Sequence, residues 1–124
     1  MHSTRNIVVA YDGSDSARRA LDRAVTLTGY GSILTVVGVA ESRGELPATQ
    51  SALADAARRL LHQRVFAETC DRIGDVVVEL LAVVGQRDAD LLIVGHGENI
   101  RERLLGSVSA ALVHRAPCDV LVAR

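Results

Sequence analysis

Val76-Val77-Val78-Glu79-Leu80-Leu81-Ala82-Val83-Val84 is the stretch whose conformation decides the fold. Its β-branched residues suit a strand, yet Val77, Leu80, Leu81 and Val84 fall on one helical face. As a strand it would add an antiparallel hairpin to the sheet; as a helix it is a crossover. Two parallel strands need a connection of about a dozen residues. Asp75 to Asp88 supplies one between a third strand, expected at residues 65–73, and the buried-strand run Leu91-Leu92-Ile93-Val94. The helix reading follows from that connection.

Working outward, Ile7-Val8-Val9-Ala10 reads as a buried strand closed by the turn Asp12-Gly13-Ser14. Ala17, Ala20, Leu21, Ala24 and Val25 repeat at helical spacing behind the cap candidates Ser14 and Asp15, with Gly29 as the stop. Residues 33–40 form a mostly β-branched second strand. Residues 41–50 read as a polar loop around Pro47. Leu53, Ala56, Ala57, Leu60 and Leu61 then mark an amphipathic helix, and the third strand that follows reads as an edge. Val108, Ala111 and Leu112 mark the last helix, and residues 118–123 the last strand after Pro117. Five alternating units predict an α/β fold, a doubly wound five-stranded parallel sheet in the order 3-2-1-4-5. Helices cover both faces in the Rossmann-like manner. At 124 residues the whole chain, 1–124, is expected to be one domain.

In that strand order the topology switches between strands one and four, whose carboxyl ends carry Asp12 and Gly95. Open sheets bind ligands at such a point. Strand four runs into Gly95-His96-Gly97, and Leu105-Gly106-Ser107-Val108 opens the last helix. The first N–H groups of a helix have no partner within it, and its dipole is positive there, so an anion is stabilised. Glycine lets backbone approach a ligand, and Ser107 adds a hydroxyl. Asp12 also has a purely local role available, bonding the backbone two residues on. His96 reads equally as a phosphate contact and as a structural residue. His62 and His114, on helices, read as solvated.

Composition excludes several classes. All fourteen basic residues are arginine and none is lysine. That removes the phosphate loop of G-x-x-x-x-G-K-[ST] type, Schiff-base chemistry and a lysine-dependent receiver switch. A net charge of -1 and three aromatic residues argue against a nucleic-acid partner. The apolar runs fall well short of the ~20 residues of a spanning helix, and no apolar signal region precedes the first strand. No membrane role is expected, and the expected location is the cytoplasm. Cys70 and Cys118 read as small buried thiols rather than a disulfide or a metal cluster.

The sequence resembles the universal stress protein family along nearly its whole length. IVVAYDGSDSARRAL looks like that family's first strand and helix, and GDVVVELLAVVGQRDADLLIVG like its third helix and fourth strand. LLGSVSAALVHRAPCDVLVAR, with the turn Ala116-Pro117-Cys118, is similar to its closing helix and strand. The resemblance implies a non-enzymatic stress-response module that binds ATP or a related adenine nucleotide, with magnesium as its companion ion. In the nucleotide-binding branch the phosphate loop follows G-x2-G-x9-G-[ST]. Carried over, Asp12 would meet the ribose or adenine side and the backbone of Val39 the adenine edge. Gly95 would be the first glycine, and Gly97, Gly106, Ser107 and Val108 would hold phosphates, with His96 just before the second glycine. The loop departs from the pattern: only His96 separates Gly95 from Gly97, and eight residues lie between Gly97 and Gly106. The second helix and the loop before it also look short for the family. Arg101 and Arg103, beside Glu98 and Glu102, read as a solvated charge cluster.

The shortened loop supports an alternative: a family member that no longer binds nucleotide and works as a dimeric interaction module with an unknown protein partner. The resemblance places a homodimer contact on the last strand, at Val120, Leu121 and Val122. Gly13-Ser14-Asp15-Ser16 weakly echoes the S-G-G-x-D-S loop of adenylating ATP pyrophosphatases, but Tyr11-Asp12 replaces its first two residues.

Overall fold

The computed structural model describes residues 5–97 and 106–124. Five strands, β1 (Asn6–Ala10), β2 (Ile33–Ala40), β3 (Ala67–Ile73), β4 (Leu91–Gly95) and β5 (Asp119–Ala123), form one parallel sheet in the order β3-β2-β1-β4-β5. Among the described residues four α-helices, α1 (Asp15–Leu27), α2 (Leu46–His62), α3 (Val76–Gln86) and α4 (Ser107–Arg115), lie in the connections.

Strand side chains alternate between the faces, and each face has its own core. Ile7, Val9, Leu34, Val36, Leu91 and Ile93 pack with α1 and α2 residues such as Leu21 and Leu53. Val8, Val37, Leu92 and Val94 pack with Leu80, Val83 and Val84 of α3 and Leu112 of α4. Strands β1, β2 and β4 are apolar on both sides because both are covered.

Residues 76–84 are helical, and the cause is local as well as topological. Asp75 is the N-cap, and its carboxylate accepts from the Val78 N–H at 3.0 Å. The buried face is Leu80, Val83 and Val84, so Val83 takes the place expected for Val77 and Leu81, which are half-buried. At α1, Ser14 accepts from the Ala17 N–H at 3.2 Å, and the helix ends at Leu27, before Gly29.

Other boundaries differ from expectation. Residues 41–50 are not a loop: a 3-10 turn at Arg43–Glu45 leads into α2 at Leu46. Pro47 lies in the first turn of α2, where its missing N–H costs no helical bond. Strand β3 begins at Ala67, and Phe66 before it is exposed. On α4 the buried residues are Ser109 and Leu112, while Val108 is exposed. The Ser109 hydroxyl donates to the Gly95 carbonyl at 2.7 Å, which turns that face of α4 onto β4. Cys70 and Cys118 are free thiols, half-buried rather than buried. His62 and His114 are exposed.

Candidate switch-point crevice

Strands β1 and β4 are hydrogen-bonded neighbours, with Val8 opposite Leu92. Chain leaves β1 for α1 on one face of the sheet and β4 for α4 on the other, so the carboxyl ends of the two strands part. The crevice that opens there has a volume of about 450 Å³, within the range of small-ligand pockets.

Its walls differ chemically. Ala10, Val37, Val39, Val76, Leu80 and Val94 make an apolar wall from the ends of β1, β2 and β4 and the first turns of α3. Opposite chemistry lies at α4. Gly106 is the N-cap with φ −60 and ψ 157 and gives no side-chain capping bond. The first helical bond there is donated by Ala110 to the Gly106 carbonyl, at 2.9 Å. The N–H groups of Ser107, Val108 and Ser109 precede it, and all three residues border the crevice. This end can donate hydrogen bonds to an anion.

The loop between β4 and α4 is pinched at its base. Gly97 has φ +96, open to glycine at little cost, and a Cβ on it would lie 3.4 Å from the Gly106 Cα. The Gly106 N–H donates to the His96 carbonyl at 3.2 Å. His96 also donates its own N–H to the Ala123 carbonyl at 2.9 Å, tying the loop to β5. Its side chain is buried, and Nδ1 has no hydrogen-bond partner among the described residues.

Of the residues singled out in the sequence, Asp12, Val39, Gly95, Gly97, Gly106, Ser107 and Val108 border the crevice, and His96 does not. Asp12 is exposed, and its Oδ1 accepts from the Ser14 N–H at 2.9 Å, the local turn role anticipated beside the ligand role. Gly95 has no room for a side chain, since a Cβ would fall 2.6 Å from the Ser16 Oγ. Arg101 and Arg103 lie outside the described residues.

The sequence did not point to Tyr11, Ser16, Glu41, Glu45, Val76 or Leu80 as wall residues. Only the i, i+4 spacing of Glu41 with Glu45 and of Val76 with Leu80 was available as a signal. The Glu41 N–H donates to Glu45 Oε2 at 2.9 Å, folding the start of the 3-10 turn against the crevice. The charged side chains of the described wall are thus Asp12, Glu41 and Glu45, all acidic. Among the described residues, no group of three or more His, Cys, Asp or Glu could hold a metal ion.

A doubly wound parallel sheet with a ligand-sized crevice at its switch point is an α/β architecture of Rossmann-like type, a class that many functions share. Residues 3–124 match the Universal stress protein family, and the chain belongs to it. It is 31% identical to the universal stress protein Rv1636 of Mycobacterium tuberculosis strain H37Rv, over 98% of this chain and 97% of that protein. That alignment is 144 positions long for a chain of 124 residues, so the relative carries residues that this chain lacks. A putative universal stress protein of Staphylococcus haemolyticus, SH1215, is 32% identical, over 100% of this chain and 87% of that one. A crystal structure of a universal stress protein in complex with cAMP superposes with a TM-score of 0.83 at 31% identity, covering 99% of this chain and 98% of that one. Among the described residues, no helix is long and apolar enough to cross a membrane.

Proposed function

We propose that this chain is a non-enzymatic, cytoplasmic stress-response module, a single domain that binds ATP or a related adenine nucleotide in the switch-point crevice. The observation that carries the reading is the pairing of an apolar wall at Val37, Val39, Val76 and Leu80 with the uncapped start of α4 in one crevice. A flat base lies against the first, and a phosphate beside Gly106 meets the N–H groups of Ser107, Val108 and Ser109 at the second. Asp12 retains Oδ2 as an acceptor for ribose hydroxyls. The relative crystallised with cAMP supports an adenine ligand.

Binding without turnover is favoured because the described wall offers three carboxylates and no cation to draw charge from a leaving phosphate. Magnesium fits only as a companion carried by the phosphates, since the described side chains make no metal cage. Mass spectrometry for nucleotide retained through purification, followed by titration calorimetry with AMP, cAMP and ATP with and without magnesium, tests the reading. A micromolar dissociation constant, about −8 kcal/mol, is expected for at least one of them; absence of both heat and retained nucleotide overturns it.

The alternative is a dimeric interaction module without nucleotide. It is favoured by the short spacings Gly95-His96-Gly97 and Gly97 to Gly106, and by β5, which among the described residues has a partner strand on one side only. Val120, Leu121 and Val122 are half-buried there, ready to be covered by a second copy. Light scattering should then give twice the 13.2 kDa of one chain whether or not nucleotide is added.

A further inference from the structure

We propose that Glu45 determines which base the crevice accepts, by presenting a fixed carboxylate oxygen to the 6-amino group of a purine; this rests on the nucleotide-binding reading above. Glu45 belongs to the crevice wall, as does Val39, beside which the base would lie. Glu45 is exposed where it borders the crevice, and its carboxylate is held at one oxygen. Oε2 accepts from the Glu41 N–H at 2.9 Å, while the Glu45 carbonyl accepts from the Thr49 hydroxyl at 3.2 Å in the first turn of α2. Glu41 is itself anchored, because it follows Ala40, whose carbonyl accepts from the Gly74 N–H at 2.9 Å at the end of β3. Both ends of the carboxylate's support are therefore tied into the sheet and the second helix. Oε1 takes no part in these bonds.

An ionised carboxylate only accepts hydrogen bonds. Adenine carries an amino donor at position 6, whereas hypoxanthine and guanine carry a carbonyl acceptor there. Opposite Oε1 the first makes a charge-assisted bond and the second sets two acceptors face to face. At an exposed carboxylate water re-pairs the unused oxygen, so the discrimination comes from the lost charge-assisted bond and the facing acceptors and is on the order of tenfold. Glu41 borders the same crevice but contributes its backbone N–H to the support, so its side chain serves as the control.

The test is calorimetric titration of the full chain with AMP, inosine 5′-monophosphate and purine riboside 5′-monophosphate, which lacks any group at position 6. AMP should bind at least about tenfold more tightly than the inosine nucleotide, with the unsubstituted purine between them. In Glu45→Gln the amide can still accept from Glu41 while turning an N–H₂ toward the base, so the AMP preference should shrink to within about threefold or invert. Glu41→Gln should keep the wild-type order.

Equal affinity of the wild type for all three nucleotides overturns the proposal. So does an AMP preference that Glu45→Gln leaves intact, since the base is then chosen by other groups while nucleotide binding stands. If no nucleotide binds to the wild type, the proposed function falls and this inference with it. The series on the unmodified protein shows whether an acceptor faces position 6, and loss of that order in Glu45→Gln with its retention in Glu41→Gln assigns the acceptor to Glu45.

Discussion

Gly95 packs directly against Ser16: a Cβ on Gly95 would lie 2.6 Å from the Ser16 Oγ and 2.7 Å from the Ser16 carbonyl carbon and oxygen. The backbone of α1 therefore approaches the end of β4 as closely as it does only because residue 95 has no side chain. Gly95→Ala should lower unfolding free energy by about 1–3 kcal/mol, because α1 must move off the sheet and strand packing in the core cannot follow. Urea unfolding measures this. A loss below a few tenths of a kcal/mol would mean that α1 can shift freely, and that the glycine serves only as backbone clearance for a ligand.

That contact shows what a sequence can and cannot disclose. Strand β2 has the bounds its β-branched run suggests, Ile33–Ala40, because a buried parallel strand needs nothing beyond apolar continuity. The start of α2 was illegible for the opposite reason. Its N-cap position is Glu45, whose side chain makes no capping bond, so no Ser, Thr, Asn or Asp announces the helix, and a 3-10 turn delivers the chain into it. In the crevice, Gly97, Gly106 and Ser107 stood out because a glycine loop before a helix start is a local pattern. Glu41 and Glu45 come from the turn between β2 and α2, Val76 and Leu80 from the first turns of α3, and only strand order brings them to the same cleft. The closeness of Gly95 to Ser16 is likewise tertiary.

Tyr11 is buried in the core shared by β1, α1 and α2, and its hydroxyl has no hydrogen-bond partner among the described residues. An unpartnered buried hydroxyl carries its desolvation cost with nothing to offset it. Tyr11→Phe should therefore leave stability unchanged or raise it by up to about 1 kcal/mol. A loss of more than about 1 kcal/mol in urea melts would reveal a partner for the hydroxyl.

Burial pushes the Cys118 thiol above its ordinary range, the neighbouring Asp119 and Asp90 carboxylates add to that, and a backbone hydrogen bond with Leu92 works against it. A raised folded-state value makes this group's stability contribution complete below the unfolded thiol's pKa of about 8.5. The contribution is lost as pH rises through the folded value. Cys118 in the native protein should thus react with iodoacetamide at pH 8 more slowly than in the urea-unfolded chain. Cys118→Ala should show a shallower fall in stability between pH 7 and pH 9.5 than the wild type. Equal alkylation rates in the folded and unfolded chain would show that the site is open to solvent and thiolate formation unhindered.

Gly106 offers a test in which stability and binding move apart. Its φ of −60 suits any residue, and a Cβ there would make ordinary contacts, 3.5 Å to the His96 carbonyl oxygen and 3.6 Å to the Gly97 Cα. Aspartate at an N-cap bonds the helix N–H groups that glycine leaves open, so Gly106→Asp should raise stability by a few tenths of a kcal/mol. The same carboxylate would occupy the place proposed for a phosphate and repel it, so calorimetric binding of AMP or cAMP should fall at least about a hundredfold. A merely disrupted fold would lower both quantities together, whereas a rise in melting temperature with loss of binding places the phosphate at the start of α4. If AMP binds Gly106→Asp as it binds the wild type, its phosphate lies elsewhere in the crevice, and the N-terminus of α1 beside Ser14 and Ser16 becomes the next place to substitute.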